Sequence, residues 1–201
     1  MESGALWRRS RSWAGIFVLL AASSCAATRQ EPSRSPERPE TLFGVLLGGR
    51  SLDDEVAWDE IESPVVLGFE GGNVGAPLGY EFGISLAADS TTEAGVDVTD
   101  RFLELFAGGR AIFGEGKVLP YLGAGIALVA AEVEGESGGF STSDDDGSVG
   151  LYGHGGVLLK VGSSFYLGLD ARVLTGTELE IFGIETDADY AQLAAVFAWG
   201  G

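Results

Sequence analysis

The sequence predicts an all-β protein, an eight-stranded antiparallel up-and-down transmembrane β-barrel. Three observations predict it. From residue 42 onward apolar residues recur with a period of two, which is the signature of strands rather than helices. One face of each strand is almost purely aliphatic and aromatic, while the other is small, polar or charged. The connections alternate long and short, the habit of barrels with long loops at one rim and tight turns at the other.

The strands follow in order. The runs 42–51 and 65–71 open the series. Residues 78–88 set Leu78, Tyr80, Phe82, Ile84 and Leu86 against Gly79, Glu81, Gly83 and Ser85. Residues 101–113 (RFLELFAGGRAIF) place Leu103, Leu105, Ala107, Ala111 and Phe113 on one parity, and both internal charges, Glu104 and Arg110, on the other. A helix would scatter those charges, and Gly108 and Gly109 would weaken it. Residues 120–130 set Leu122, Ala124, Ile126 and Leu128 against Tyr121, Gly123, Gly125 and Ala127. Residues 151–161 set Leu151, Val157, Leu159 and Val161 against Tyr152, His154 and Lys160. Residues 165–174 set Phe165, Leu167, Leu169, Ala171 and Val173 against Tyr166, Gly168, Asp170 and Arg172. Residues 190–199 set Leu193, Ala195, Phe197 and Trp199 against Tyr190 and Gln192.

The second face carries Arg50, Glu70, Glu81, Glu104, Arg110, His154, Lys160, Asp170 and Arg172, four acids against four bases and a histidine. Its glycines suit a crowded interior rather than a solvated surface. A near-neutral charged interior under an apolar exterior is the pattern of a membrane barrel. Glu104 and Arg110 are about 20 Å apart along one strand and need partners on other strands. Folding 78–88 against 101–113 about a centre near residue 95 sets Glu81 opposite Arg110, with Glu70 as a second acid.

The long connections are 52–64, 89–100, 132–148 and 175–189; the short ones are 72–77, 114–117 and 162–164. The long ones hold 21 of the 30 acids and no Lys or Arg. They are predicted to be extracellular loops, which puts both chain ends on the periplasmic side. Phe43, Phe69, Tyr80, Phe113, Tyr121, Phe165, Phe197 and Trp199 gather at the other rim as an expected interfacial girdle.

Ahead of the barrel, Arg8, Arg9 and Arg11 precede an apolar run at 14–22 that is too short to span a bilayer, the layout of a signal peptide. AASSCAA follows and resembles the lipobox of bacterial lipoproteins, which implies lipidation at Cys25, the chain's one cysteine. Residues 28–40 hold three of the six prolines and no large apolar residue, so they read as a linker. The expected division is a signal peptide at 1–24, a periplasmic linker at 25–41 and the barrel at 42–201. A net charge of −18 argues against nucleic acid as a partner.

PYLGAGIAL (120–128) and YAQLAAVFAW (190–199) resemble strands of the small eight-stranded outer-membrane β-barrel family, of the OmpA transmembrane-domain and OmpX type. The resemblance implies residence in the bacterial outer membrane, contact with its lipid and lipopolysaccharide, and a last-strand aromatic, here Trp199, read by the barrel assembly machinery. It implies a monomer without a cofactor. Eight strands leave a lumen that side chains fill, which argues against transport. The expected function is a structural or surface-interaction role, not catalysis. Two alternatives are a soluble lipocalin-like ligand-binding barrel and a membrane-embedded lipid-modifying enzyme. Such an enzyme needs a nucleophile and base on the lipid-facing wall, whereas His154, the one histidine, has lumen parity and is expected near Arg172. Asp144, Asp145 and Asp146 are the candidate metal ligands, although they lack the alternating spacing of an EF-hand loop.

Overall fold

The computed structural model describes residues 39–53, 64–74, 78–93, 96–114, 116–138 and 140–201. The predicted signal peptide, Cys25, the linker as far as residue 38 and most acids of the 52–64 loop lie outside these residues.

Among the described residues ten strands occur in chain order: β1 (Thr41–Leu52), β2 (Val65–Asn73), β3 (Gly79–Glu93), β4 (Val96–Ile112), β5 (Val118–Ser137), β6 (Phe140–Lys160), β7 (Phe165–Thr175), β8 (Leu179–Ile181), β9 (Ile184–Thr186) and β10 (Tyr190–Gly200). Eight of them close a barrel in the order β1-β10-β7-β6-β5-β4-β3-β2, and every pairing in it is antiparallel. β8 and β9 form a separate two-stranded sheet. The first and last strands make the seam, with Val45 opposite Phe197 and Arg50 opposite Gln192. Beyond it the backbone N–H groups of Glu40 and Thr41 donate to the Gly201 carbonyl at 2.9 and 3.2 Å. Both ends of the described chain therefore lie at one end of the barrel.

Parity decides what faces where. Leu47, Leu67, Phe82, Leu105, Leu122, Ile126, Leu151, Leu169 and Leu193 all stand exposed on the outer wall. Along β5, Leu122 to Ala130 spans about 27 Å of strand. At a usual barrel tilt that gives somewhat over 20 Å of height, close to the ~25 Å apolar band of an outer-membrane barrel. Exposed Arg101 marks the upper limit of the band, with its guanidinium 3.5 Å from Glu132 and 3.8 Å from Glu134. At the lower rim Phe43, Phe69, Tyr80, Phe113 and Trp199 are exposed, and the Phe165 and Trp199 rings lie 5.3 Å apart. Tyr121 is a correction to the expected girdle: it is buried in the lumen, where its hydroxyl finds a carboxylate.

Two of the expected loops are strands. Residues 89–100 continue the β3–β4 pair from Asp89 opposite Asp100 to Glu93 opposite Val96. Residues 132–148 continue β5–β6 from Glu132 opposite Asp145 to Ser137 opposite Phe140. Above the apolar band neither face of the sheet meets lipid, so hydrophobic alternation stops while backbone pairing goes on. The 175–189 connection is also folded, since it contains the β8–β9 hairpin.

The lumen is layered. Near the chain ends an apolar layer includes Leu42, Leu46, Ile112, Leu119, Leu158 and Val196. At the opposite mouth a second apolar layer includes Val66, Phe102, Ala131, Leu174 and, from the β8–β9 hairpin, Leu179. Between the layers lie buried Arg50, Glu70, Glu81, Glu104, Arg110, His154, Asp170 and Arg172.

Candidate functional site: the charged lumen and its mouth hairpin

The lumen charges form two connected groups. In the first, Arg110 Nη1 and Nη2 donate to Glu70 Oε1 and Oε2 at 2.9 and 2.6 Å, a bidentate pair, and Arg110 Nε donates to Glu81 Oε2 at 2.5 Å. The partners are those that strand parity selects, but the register differs from the sequence expectation by two residues: Arg110 stands opposite Gly79, and Glu81 opposite Gly108. The diagonal reach of the long guanidinium stem spans that offset. Tyr152 donates to Glu81 Oε1 at 2.7 Å. His154 Nε2 lies 2.9 Å from Glu81 Oε1, and its Nδ1 lies 2.8 Å from Asp170 Oδ2, which Tyr121 also reaches at 2.7 Å. Arg172 is opposite His154 in register, as proximity in sequence parity implied, yet the imidazole bonds the two carboxylates instead.

In the second group Glu104 is the hub, with no exposed surface. It accepts from Arg50 at 2.8 Å, Arg172 at 3.0 Å, Tyr190 at 2.6 Å and Ser85 at 3.3 Å. Gln192 accepts from Arg50 at 3.1 Å. Among the described residues the Arg172 Nε and Nη2 atoms have no hydrogen-bond partner; the guanidinium lies 3.9 Å over the Phe106 ring and 4.8 Å from that of Tyr152, where ring faces stabilise the cation.

Both His154 nitrogens face carboxyl oxygens, an arrangement that a doubly protonated ring satisfies with its two N–H donors. With His154 protonated, Arg50, Arg110, Arg172 and His154 match Glu70, Glu81, Glu104 and Asp170 in number, while a fifth buried acid, Asp100, stands outside both groups with no side-chain hydrogen-bond partner among the described residues. Lys160 shares the parity but stands aside, with its ammonium 5.9 Å from the Tyr166 ring centroid. Glycine makes room for this layer: a Cβ at Gly123 would overlap the His154 ring and come within 2.9 Å of Glu81 Oε1.

The mouth is covered by the hairpin of β8 and β9. Leu179 and Ile181 are buried beneath it, and Glu180 and Glu185 pair on its outer face. β6 holds it through side chains two residues apart. Ser148 Oγ accepts from the Glu178 N–H at 2.9 Å, Asp146 Oδ2 from Glu180 at 2.7 Å and Asp144 Oδ2 from Phe182 at 2.5 Å. Asp189 clamps the base: Oδ1 accepts from the Thr177 N–H and hydroxyl at 2.9 and 2.8 Å, and Oδ2 from the Gly176 N–H and Thr175 hydroxyl at 3.0 and 2.9 Å. The Glu180 N–H, helped by that of Gly147, holds the Asp146 carboxyl below the usual range. Burial pushes Asp189 up, but its bonds to Thr177, Gly176 and Thr175 outweigh that and hold it down as well. Asp144 and Asp146 thus serve the hairpin, Asp145 faces outward, and among the described residues no three candidate ligands converge on a metal position.

Parity in the sequence already carried Tyr121, Tyr152, Tyr190, Ser85 and Gln192 to this face; their hydroxyl and amide roles became visible only with the pairing. The clamp of Asp189 had no sequence signal, since the Gly176 and Thr177 it holds lie 13 and 12 residues earlier in the chain.

A closed eight-stranded barrel with a lipid-facing apolar band and a charge-paired interior defines an integral outer-membrane β-barrel protein. The sequence matches the outer membrane protein beta-barrel domain over residues 17–199, and the chain belongs to that family. Among solved structures it is similar to OprG of Pseudomonas aeruginosa, with 13% identity over 82% of this chain and 98% of that one and a TM-score of 0.57. It is similar to Neisserial surface protein A, with 16% identity, 80% and 96% coverage and a TM-score of 0.52. It is also similar to Ail, the attachment invasion locus protein of Yersinia pestis, with 13% identity, 80% and 95% coverage and a TM-score of 0.51. At these identities the likeness is one of fold. No curated protein matches the sequence.

Proposed function

We propose that this protein is a non-catalytic, non-conducting monomeric barrel that carries acidic hairpins on the cell surface, with both chain ends in the periplasm. One observation supports the reading: buried side chains occupy the lumen in successive layers, while four strands run on past the lipid band. Paired charges fill the lumen's middle, apolar layers lie above and below them, and β8–β9 covers the mouth. What remains available to partners is the extended sheet, and its connections hold acids without Lys or Arg, so the favoured partners are cationic. Lipopolysaccharide phosphates would meet it through shared divalent cations, and lipidation of Cys25 would fit a periplasmic position for both chain ends. Catalysis on membrane lipid is disfavoured because the one histidine is enclosed by Glu81, Asp170 and Tyr152 inside the barrel. A lipocalin-like soluble barrel is disfavoured by the continuous exposed band of Leu, Ile and Phe.

The test has two arms. In planar bilayers the protein should give no unitary currents, whereas steady conductance would refute the closed lumen. On intact cells, protease should reach only the acidic hairpins; cleavage at residues 28–38 without permeabilisation would invert the topology.

A further inference from the structure

We infer that the tip of the β8–β9 hairpin, Phe182 with Ile184, is the apolar anchor of a docking surface for a cationic polypeptide segment. The inference rests on the surface-contact reading above and deepens it.

Ile181 pairs with Ile184, so Phe182 and Gly183 are the two central residues of the turn. Their φ angles are +51° and +75°. Two positive values define a type I′ turn, whose preferred sequence is Asn-Gly. Gly183 meets that requirement and Phe182 violates it. Among the described residues Phe182 alone has a positive φ without being glycine, and for a bulky side chain that is an outlier. The turn is tied to β6, since the Phe182 N–H donates to Asp144 at 2.5 Å. Folding does not repay the strain through burial: Phe182 remains 49% exposed and Ile184 65%. Phe140, 85% exposed, stands four residues beyond Asp144 on β6 with the same parity, about 14 Å along the strand. Strain that survives without a packing benefit points to use.

The chemistry of the occupant follows from the surroundings. Glu180 and Glu185 flank the turn on the hairpin's outer face, and Asp144 on β6 accepts from the Phe182 N–H. An apolar tip beside carboxylates complements an aromatic or aliphatic side chain flanked by Lys or Arg. The same carboxylates repel a bare anionic lipid surface and a second copy of this chain, so a cationic polypeptide is the favoured occupant.

The test uses the protein in phosphatidylcholine nanodiscs and two labelled pentapeptides, Lys-Lys-Trp-Lys-Lys and Lys-Lys-Ser-Lys-Lys. The wild type is expected to bind the tryptophan peptide roughly tenfold more tightly, the effect of one well-seated anchor. Phe182→Asn installs the residue the turn prefers. It should therefore raise hydrogen-exchange protection of the hairpin amides while erasing the tenfold preference, so that lost binding is not mistaken for lost structure. Phe182→Trp should keep the preference. A preference that persists in Phe182→Asn, one that is absent from the wild type, or an equal one on empty nanodiscs would overturn the anchor. Self-association of the wild type abolished by Phe182→Asn would overturn it in favour of a second copy. In any of these cases salt-sensitive binding of the serine peptide would leave the acidic-surface reading standing; binding of neither peptide would end both.

Discussion

Replacing Arg110 by Met removes the cation that two buried carboxylates share. Three bonds disappear: two to Glu70, at 2.9 and 2.6 Å, and one to Glu81, at 2.5 Å. At about 1.5–3 kcal/mol for each charge-assisted bond the simple sum is roughly 5–9 kcal/mol. Relaxation and protonation bring the expected loss toward the ~3–5 kcal/mol typical of a broken buried pair. The two orphaned acids are not equivalent. Glu81 keeps His154 at 2.9 Å and Tyr152 at 2.7 Å, whereas both bonds described for Glu70 are made to Arg110. Glu70→Met added to Arg110→Met should therefore restore about 2–3 kcal/mol, and Glu81→Met in the same background should restore much less, because it strips His154 of a carboxylate while leaving Glu70 bare. The assay is urea unfolding of refolded protein in detergent micelles, with the folded fraction read from unboiled gel migration. Additive losses in the Glu70–Arg110 cycle, or equal rescue by the two second substitutions, would refute the reasoning.

Three more outcomes are expected. Gly123→Ala should lower stability by about 1–3 kcal/mol, since its methyl group overlaps the His154 ring, and the same urea titration measures it. Asp189→Ala should open the β8–β9 hairpin without unfolding the barrel, which exchange of the Thr177 and Ala188 amides would report as lost protection while barrel amides keep theirs. Acid should do the same reversibly: Asp146 and Asp189 have depressed values in the folded state, so their contribution is full above the unfolded value near 4 and is lost as pH falls through the lower folded value. Hairpin protection that is flat from pH 7 to about pH 4 and then drops would fit; a drop beginning near pH 6 would assign the clamp to other groups.

The sequence revealed the membrane-facing part of this protein because lipid enforces a strict code there. Leu103 and Leu105 face hydrocarbon and Glu104 between them faces the lumen, so a period of two is written into every residue. The code lapses where lipid ends. Thr91, Thr92 and the Asp144–Asp146 run show no apolar alternation, so the sequence alone makes loops of these strand extensions. The hairpin at 179–186 did alternate, with Leu179 and Ile181 around Glu180, but its three-residue strands are too short for periodicity to separate them from an acidic loop. The partners of Arg110 were legible because parity limits the choice, but the register was not: slips of two residues preserve every inward and outward assignment. Tyr121 shows the limit from another side. Its parity pointed to the lumen and its nearness to the rim to the girdle, and the structure follows parity, with its hydroxyl on Asp170.

The seam between β1 and β10 joins residues separated by nearly the whole barrel sequence, as in Leu42 opposite Gly200. Ring closure is thus the most non-local contact in the fold and the slowest to form from an open chain. A polypeptide truncated before Tyr190 would be left with two unsatisfied edges, β1 on one side and β7 on the other. Such edges are templates for intermolecular pairing, so loss of the final strand should yield an aggregating chain rather than a seven-stranded barrel of reduced quality. The protein is built to be whole or to be cleared, and a cell that makes it needs a way to shield β1 until β10 has been synthesised.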